Sequence, residues 1–229
     1  MFLALIRRGD VVFDVGANAG YFTLLFSDLA GPTGEVHAFE PVSRTFTGLE
    51  RNLTQQKGFD NLRLNQVACG EEEGQVEMHV PGDDYGQASM RIQGSGSWSK
   101  SSNVSTETAK AIKLDGYSHG DLSPDFLKCD VEGAELLGLR GMKEKLARFQ
   151  PLLFVEVCAA WMRNFGHSPR ELISFVQSLG YNRFYGVTET VRPFEDVEME
   201  IARQGDTSFN ILCAVDFKHD QRIVALRNI

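Results

Sequence analysis

The segment Asp14-Val-Gly-Ala-Asn-Ala-Gly20 sets a carboxylate, two glycines and an asparagine directly after a short β-branched run at residues 11–15. Glycines at the carboxyl end of a strand let backbone approach a ligand and leave N–H groups at the following helix start for a polar tail. Asp14 is placed there to receive an amino group. The spacing is G-x-N-x-G, and the last glycine of a dinucleotide fingerprint would fall on Tyr21, which cannot imitate it. Glu40 follows Gly20 by twenty residues and closes a second apolar run. A carboxylate at such a strand end accepts two hydrogen bonds from ribose hydroxyls. Turn and carboxylate together point to a nucleoside cofactor; the turn alone also reads as a generic glycine connection.

Asp130 and Glu132 close a later apolar run, and the switch-point rule places them in the same crevice as the glycine turn. A carboxylate or imidazole within hydrogen-bond reach of a hydroxyl acts as general base, so Asp130 and Glu132 come first as catalytic candidates and His167, in Asn164-Phe-Gly-His-Ser-Pro169, second. Plainer readings stand beside these: Glu132 capping the next helix with Glu135 in solvent, and His167 as a solvated loop residue. Glu156 either orients an acceptor or is tied to backbone donors. Cys158 and Trp161 either line a pocket or pack.

Apolar runs at residues 11–15, 36–39, 62–68, 126–129 and 151–157 alternate with segments of helical period, such as Phe22, Leu25, Phe26 and Leu29, and Phe46, Leu49 and Leu53. Such alternation implies right-handed βαβ crossovers and a parallel sheet covered on both faces. Ser168-Pro169 opens a further helix that ends at Gly180. Residues 181–186 and 209–217 read as a terminal strand pair. From about 81 to 108 the chain turns rich in Gly and Ser, and a flexible loop is expected, either lid or disordered segment, with Met90 and Trp98 as its apolar interruptions. A short strand is expected near 111–114.

Length favours one domain over residues 1–229 rather than two separate cores. The 23 Lys and Arg against 31 Asp and Glu give a net charge of −8 without a basic run, which disfavours nucleic acid as partner. Cys69, Cys129, Cys158 and Cys213 form no C-x-x-C pair, and the five histidines show no ligand spacing, so reduced thiols and no metal are expected. The apolar start Met1 to Ile6 is too short for a signal segment and carries its arginines on the wrong side, and no run reaches membrane-span length. A cytoplasmic location is the resulting expectation; a homo-oligomer stays open.

The runs Val12-Phe-Asp-Val-Gly-Ala-Asn-Ala-Gly-Tyr-Phe-Thr23, Ala38-Phe-Glu-Pro41, Lys113-Leu-Asp115, Leu127-Lys-Cys-Asp-Val-Glu-Gly-Ala-Glu135 and Phe154-Val-Glu156 together resemble the FkbM family of S-adenosylmethionine-dependent methyltransferases, across residues 10 to 215. The resemblance implies an α/β fold with a doubly wound, mostly parallel seven-stranded sheet of the Rossmann-like class I type, ending in an antiparallel C-terminal strand pair. It implies Asp14, Gly16, Asn18 and Gly20 around the methionine part of S-adenosylmethionine, Glu40 on the ribose, Val67 and Ala68 near the adenine, and Asp130 in the same site. It further implies O-methylation of a small-molecule, sugar, glycan or polyketide hydroxyl. The chain departs from the family pattern in the few residues ahead of its first strand, where the first helix is expected to be missing or truncated, and in the plain Gly/Ser stretch at 94–102.

An NAD-dependent oxidoreductase on the same sheet is an alternative, opposed by Asn18 and Tyr21 in the turn. A non-catalytic S-adenosylmethionine-binding module is another. Amino-group methylation of nucleic acid or protein is weaker, because Asp130-Val-Glu-Gly stands where the Asn/Asp-Pro-Pro-Tyr/Phe element of such enzymes belongs.

Overall fold

The computed structural model describes residues 1–54, 60–118, 122–204 and 207–226. Along the chain these form α1 (Phe2–Leu5), β1 (Val11–Val15), α2 (Tyr21–Ala30), β2 (Glu35–Phe39), α3 (Ser43–Thr54), β3 (Leu62–Asn65), β4 (Ala68–Cys69), β5 (Gly74–Pro81), β6 (Val104–Ile112), β7 (Phe126–Cys129), α4 (Glu135–Arg140), α5 (Lys143–Phe149), β8 (Leu152–Val157), α6 (Ala159–Asn164), α7 (Pro169–Ser178), β9 (Arg183–Val187), β10 (Val191–Phe194), α8 (Val197–Gln204), β11 (Phe209–Ala214) and α9 (Asp220–Leu226). A short helix therefore does precede β1.

The main sheet has the order β10-β9-β11-β8-β7-β1-β2-β3. Strands β3, β2, β1, β7 and β8 run parallel, as the βαβ alternation requires, and β11 lies antiparallel between β8 and β9. The terminal pair is present, but the sheet has eight strands rather than seven. The extra one is β10, which returns from β9 as an antiparallel hairpin arm on the sheet edge. Its Val191-Arg-Pro-Phe194 sequence is short and carries a proline, tolerable only on an edge.

Alternate residues of each strand face opposite sides. In β1, Val12 joins the layer with Phe26, Phe126, Phe154 and Leu212, while Phe13 and Val15 join the layer with Leu127, Leu139, Val155 and Ile211. Both faces are covered, so the strands read as near-continuous apolar runs. The order reverses between β1 and β7. Ligands bind outside the carboxyl ends of strands at such a switch point, and all the candidate carboxylates sit there.

The Gly/Ser-rich stretch is not the bare loop expected. β5 and β6 pair antiparallel from Gly74↔Ala111 to Pro81↔Val104, and β4 joins β6 to make a second, three-stranded sheet. The strand expected near 111–114 is the end of this longer β6. Between β5 and β6 the strap at residues 82–103 is held down by side chains. Ser89 and Gln93 are buried, Trp98 packs with Cys158 and Trp161, and the Trp161 indole donates to Ser95 Oγ at 2.7 Å. Polar composition suggested exposure; here the polar groups serve as partners for the turn after β7 and for α6.

α7 starts where Ser168-Pro169 placed it. The Ser168 side chain accepts from the Glu171 N–H while Glu171 reaches back to the Ser168 N–H, a reciprocal cap. No helix of the described residues is long and apolar enough to cross a membrane.

Candidate active site

β1 ends on the glycine turn, which is folded by its own hydrogen bonds. The N–H groups of Gly16 and Ala17 both donate to the Phe39 carbonyl at 3.0 Å, that of Asn18 to Glu40 Oε2 at 2.9 Å, that of Ala19 to Asn18 Oδ1 at 2.7 Å and that of Gly20 to the Ala17 carbonyl at 2.9 Å. The turn's donors are thus used internally. α2 has no side-chain cap, so its first-turn N–H groups, from Tyr21 onward, are the ones left for a ligand. Gly16, at φ +80°, has a further role: a Cβ there would lie 1.8 Å from the Asp130 carbonyl oxygen. This glycine lets the turns after β1 and β7 touch.

Glu40 is buried at the end of β2 and holds both flanking chains, accepting from Asn18 through Oε2 and from Val42 through Oε1, each at 2.9 Å. Burial pushes its carboxyl up to about 7 against those two donors. Asp14 is fully buried; its Oδ2 accepts from the Thr23 hydroxyl at 2.6 Å and its Oδ1 has no hydrogen-bond partner. Burial raises its pKa, opposed chiefly by the Lys128 charge.

Lys128 was not singled out from the sequence, although a lysine inside the four-residue apolar run Phe126–Cys129 is itself a signal, since buried charges must be paired. Its ammonium, 2% exposed, lies 3.0 Å from Asp130 Oδ2 and 3.7 Å from Asp14 Oδ1, donates to the Gly16 carbonyl at 3.3 Å and sits over the Phe22 ring. Burial works against the charge, but Asp130 and Asp14 outweigh it and hold the lysine protonated. One cation thereby ties the ends of β1 and β7.

Past β7 the chain crowds carboxylates. The oxygens of Asp130, Glu132 and Glu156 lie within 4.8 Å of one another. Glu132 takes a left-handed backbone, φ +57°, and its Oε2 is buried with no partner. Burial, then the charges of Glu156, Asp130 and Glu135, push its carboxyl up to about 10. Glu156 is pushed up to about 8 by burial and by Asp130 and Glu135. Glu135 reverses the plainer reading of this segment: it is 1% exposed, not solvated, and its Oε1 accepts from the N–H groups of Val131 and Gly133, both at 3.0 Å. Among the described residues Glu132 Oε2 and the second Glu135 oxygen, Oε2, are left without partners.

A cavity of about 310 Å³ joins these parts. Gly16 to Ala19 and Phe22 form its floor, Glu40 and Phe39 one side, Val67, Ala68, Cys69 and Met78 an apolar side, Asp130 and Glu132 the far end, and Tyr85, Gly86, Ala88 and Met90 of the strap region its cover. Of the residues marked by sequence, Gly16, Asn18, Glu40, Val67, Ala68, Asp130 and Glu132 meet at this cavity. Asp14 stands behind it through Lys128. Gly20 stands behind it as the N-terminal cap residue of α2, at φ +90°. His167 lies outside it: its Nε2 is 3.2 Å from the Gly133 carbonyl, and burial lowers its pKa. The imidazole thus braces the Glu132 turn from behind. The strap residues Ser89 and Gln93, which sequence reasoning passed over as loop, both donate to the Glu132 carbonyl, at 2.8 and 3.2 Å.

An apolar wall for a flat base, a carboxylate for a diol and a turn with a following helix start for a charged tail make a donor set that fits a nucleoside carrying an amino-acid tail. The Methyltransferase FkbM domain family has a sequence model that matches residues 14–183. The 31-O-demethyl-FK506 methyltransferase FkbM of Streptomyces tacrolimicus is 45% identical over 69 residues, 30% of this chain and 25% of that protein. Methyltransferase 1 of Beauveria bassiana (strain ARSEF 2860) is 26% identical over 161 residues, 64% of each. The chain thus spans a quarter of the first relative's length and 64% of the second's. A solved structure, Methyltransferase FkbM from Methylobacillus flagellatus KT, superposes with a TM-score of 0.56 at 16% identity over 90% of this chain and 43% of that one, a likeness of fold. Since the family match runs unbroken through the glycine turn, Glu40, the Asp130 turn and Glu156, the chain belongs to the FkbM methyltransferase domain family.

Proposed function

We propose that residues 1–229 form one S-adenosylmethionine-dependent methyltransferase domain that methylates a hydroxyl oxygen of a small molecule, sugar, glycan or polyketide-type acceptor. The observation that carries this reading is that Glu40 and Glu132, whose buried Oε2 has no partner among the described residues, line the same cavity. When bound, S-adenosylmethionine supplies a methyl group already activated on a sulfonium, so the protein's work is alignment and proton removal. Glu40 would take the ribose hydroxyls on the lone pairs its two N–H donors leave free. Phe39, Val67, Ala68 and Met78 would enclose the adenine, and the glycine turn with the start of α2 would hold the amino-acid tail, with Asp14 acting on it through the Lys128 linkage.

The acceptor oxygen is a poor nucleophile until its proton leaves, and a positioned base is worth about 10²- to 10⁴-fold. Glu132 suits that role better than Asp130, whose Oδ2 is occupied by Lys128. His167 would act as a brace for the Glu132 turn. Oxygen as the methyl acceptor is supported by the Streptomyces relative, a 31-O-demethyl-FK506 methyltransferase, and by the Asp130-Val-Glu-Gly turn. The unpaired carboxyl in the cavity also argues for turnover over mere binding.

Titration calorimetry with S-adenosylmethionine and S-adenosylhomocysteine checks the cofactor. Glu40→Ala should lose roughly 10- to 100-fold in affinity, the scale of charge-assisted hydrogen bonds; equal affinity, or no binding by the wild type, would sink the assignment. A labelled-methyl screen across hydroxylated sugars, lipids and polyketides checks the reaction, with Glu132→Gln expected to bind cofactor without turnover.

A further inference from the structure

At the switch point the Lys128 ammonium meets Asp130 at 3.0 Å and Asp14 at 3.7 Å, and one oxygen each of Asp130, Glu132 and Glu156 lies within 4.8 Å of the others. The charged groups of the cavity wall are Glu40, Lys128, Asp130 and Glu132. Lys128 is already committed to Asp14 and Asp130. Glu156, on β8, brings its carboxyl within 4.8 Å of those of Asp130 and Glu132, and like charges that close disfavour one another. Asp130 Oδ2 is engaged by the Lys128 ammonium at 3.0 Å. Glu132 also lines the cavity, its Oε2 enclosed and unpartnered among the described residues, with Asp130, Glu135 and Glu156 as its charged neighbours. From above, the strap brings only the uncharged Ser89 and Gln93 to its carbonyl. On the far side of Glu156, β11 sets Asn210 opposite in register, and Ser208 is its nearest polar partner there.

A carboxyl in this setting stays neutral until a positive charge enters the cavity. We infer that Glu132 is a charge-sensing base: it keeps its proton in the free protein, releases it to solvent when a ligand brings a sulfonium into the cavity, and so becomes the carboxylate that accepts the proton of the hydroxyl. This rests on the proposed cofactor and reaction. The balance closes over a turnover: the acceptor O–H bond breaks, the proton returns to Glu132, a C–O bond replaces the methyl C–S bond, and sulfur keeps the electron pair of that bond. The departing thioether is uncharged, so the protein is left in its starting protonation state. The sulfonium and thioether forms of the ligand share their amino, carboxyl and ribose groups; only the sulfonium charge calls on Glu132.

Calorimetry in buffers of differing ionisation enthalpy counts protons released on binding. At pH 7.5 we expect S-adenosylmethionine to release about one proton and S-adenosylhomocysteine none, so that affinity for the first rises about tenfold per pH unit while that for the second stays flat. Glu132→Gln should abolish the release while both ligands still bind; Glu156→Gln, which leaves the Glu132 carboxyl in place, should retain it. The wild-type pH dependence needs no variant and stands if Glu132→Gln does not fold. Equal proton counts for the two ligands, or release that survives in Glu132→Gln, would overturn the inference while leaving the cofactor reading intact. Absence of binding by both ligands would overturn both. Added Mg²⁺ that suppresses the release and raises turnover would make the cluster a cation site and overturn it as well.

Discussion

The two ends of the cavity are built on opposite principles. At the Glu40 end nearly every polar group is already satisfied: five successive turn N–H groups have internal acceptors, and both Glu40 oxygens hold backbone donors. At the Glu132 end buried oxygens of Glu132 and Glu135 lack partners among the described residues, and carboxyls face one another. The first is preorganised, so its shape is set before a ligand arrives. The second stores unfavourable electrostatics whose relief is chemical, through a proton or an incoming charge. Lys128 lies between them and belongs to both.

Breaking that link should have the largest effect. Lys128→Met leaves the buried Asp14 and the part-exposed Asp130 without their counter-charge, and removing one partner of a buried pair costs about 3–5 kcal/mol. Urea denaturation should show the midpoint falling with little change in slope. A loss below about 1 kcal/mol would mean that the lysine is not the common support of the two ends.

The next test separates the ends by pH. Glu132 and Glu156 have carboxyls raised by burial to about 10 and about 8. The folded chain therefore binds more protons than the unfolded chain, stability is fully present below the ordinary carboxyl range, and it falls as pH climbs through the raised values. Each such group contributes at most about 1.4 kcal/mol per pH unit. Thermal melts of the wild type from pH 6 to 9 should fall, and Glu132→Gln should fall less steeply and be the more stable protein at pH 9. Parallel curves would show that the crowding at Glu132 is relieved in the resting protein.

Much of the Glu40 end was legible in the sequence because its determinants are local. Asp14 to Gly20 and Glu40 sit at ends of apolar runs, and strand alternation alone places them together. Lys128, Glu135 and the strap were not legible for the converse reason. Whether Glu135 faces solvent or folds back on the N–H groups of Val131 and Gly133 depends on a backbone turn that residue type does not fix. The strap's serines and glutamine look like solvent-facing residues until Ser89 and Gln93 meet the Glu132 carbonyl. The eighth strand escaped notice because Val191–Phe194 is short, carries a proline and follows its partner as a hairpin.

The smallest expected effect falls on that strap and tests whether it serves the crowded end alone. Ser89 is fully buried, donates to the Glu132 carbonyl at 2.8 Å and accepts from Gln93 at 3.1 Å. Ser89→Ala removes the donor, but Gln93 still reaches the same carbonyl at 3.2 Å, so the loss of stability should be near 1 kcal/mol, the net worth of one such bond. Glu40 and the glycine turn share no hydrogen bond with Ser89, so affinity for S-adenosylhomocysteine should stay within about twofold, since sites without shared partners act additively. The rate, however, depends on where the left-handed Glu132 backbone aims its carboxyl, and a displaced base loses catalytic power steeply with distance. A fall in kcat with unchanged ligand affinity is the expected signature. A matching loss of affinity would mean that the strap braces the preorganised end too, and the division between the two ends would have to be redrawn.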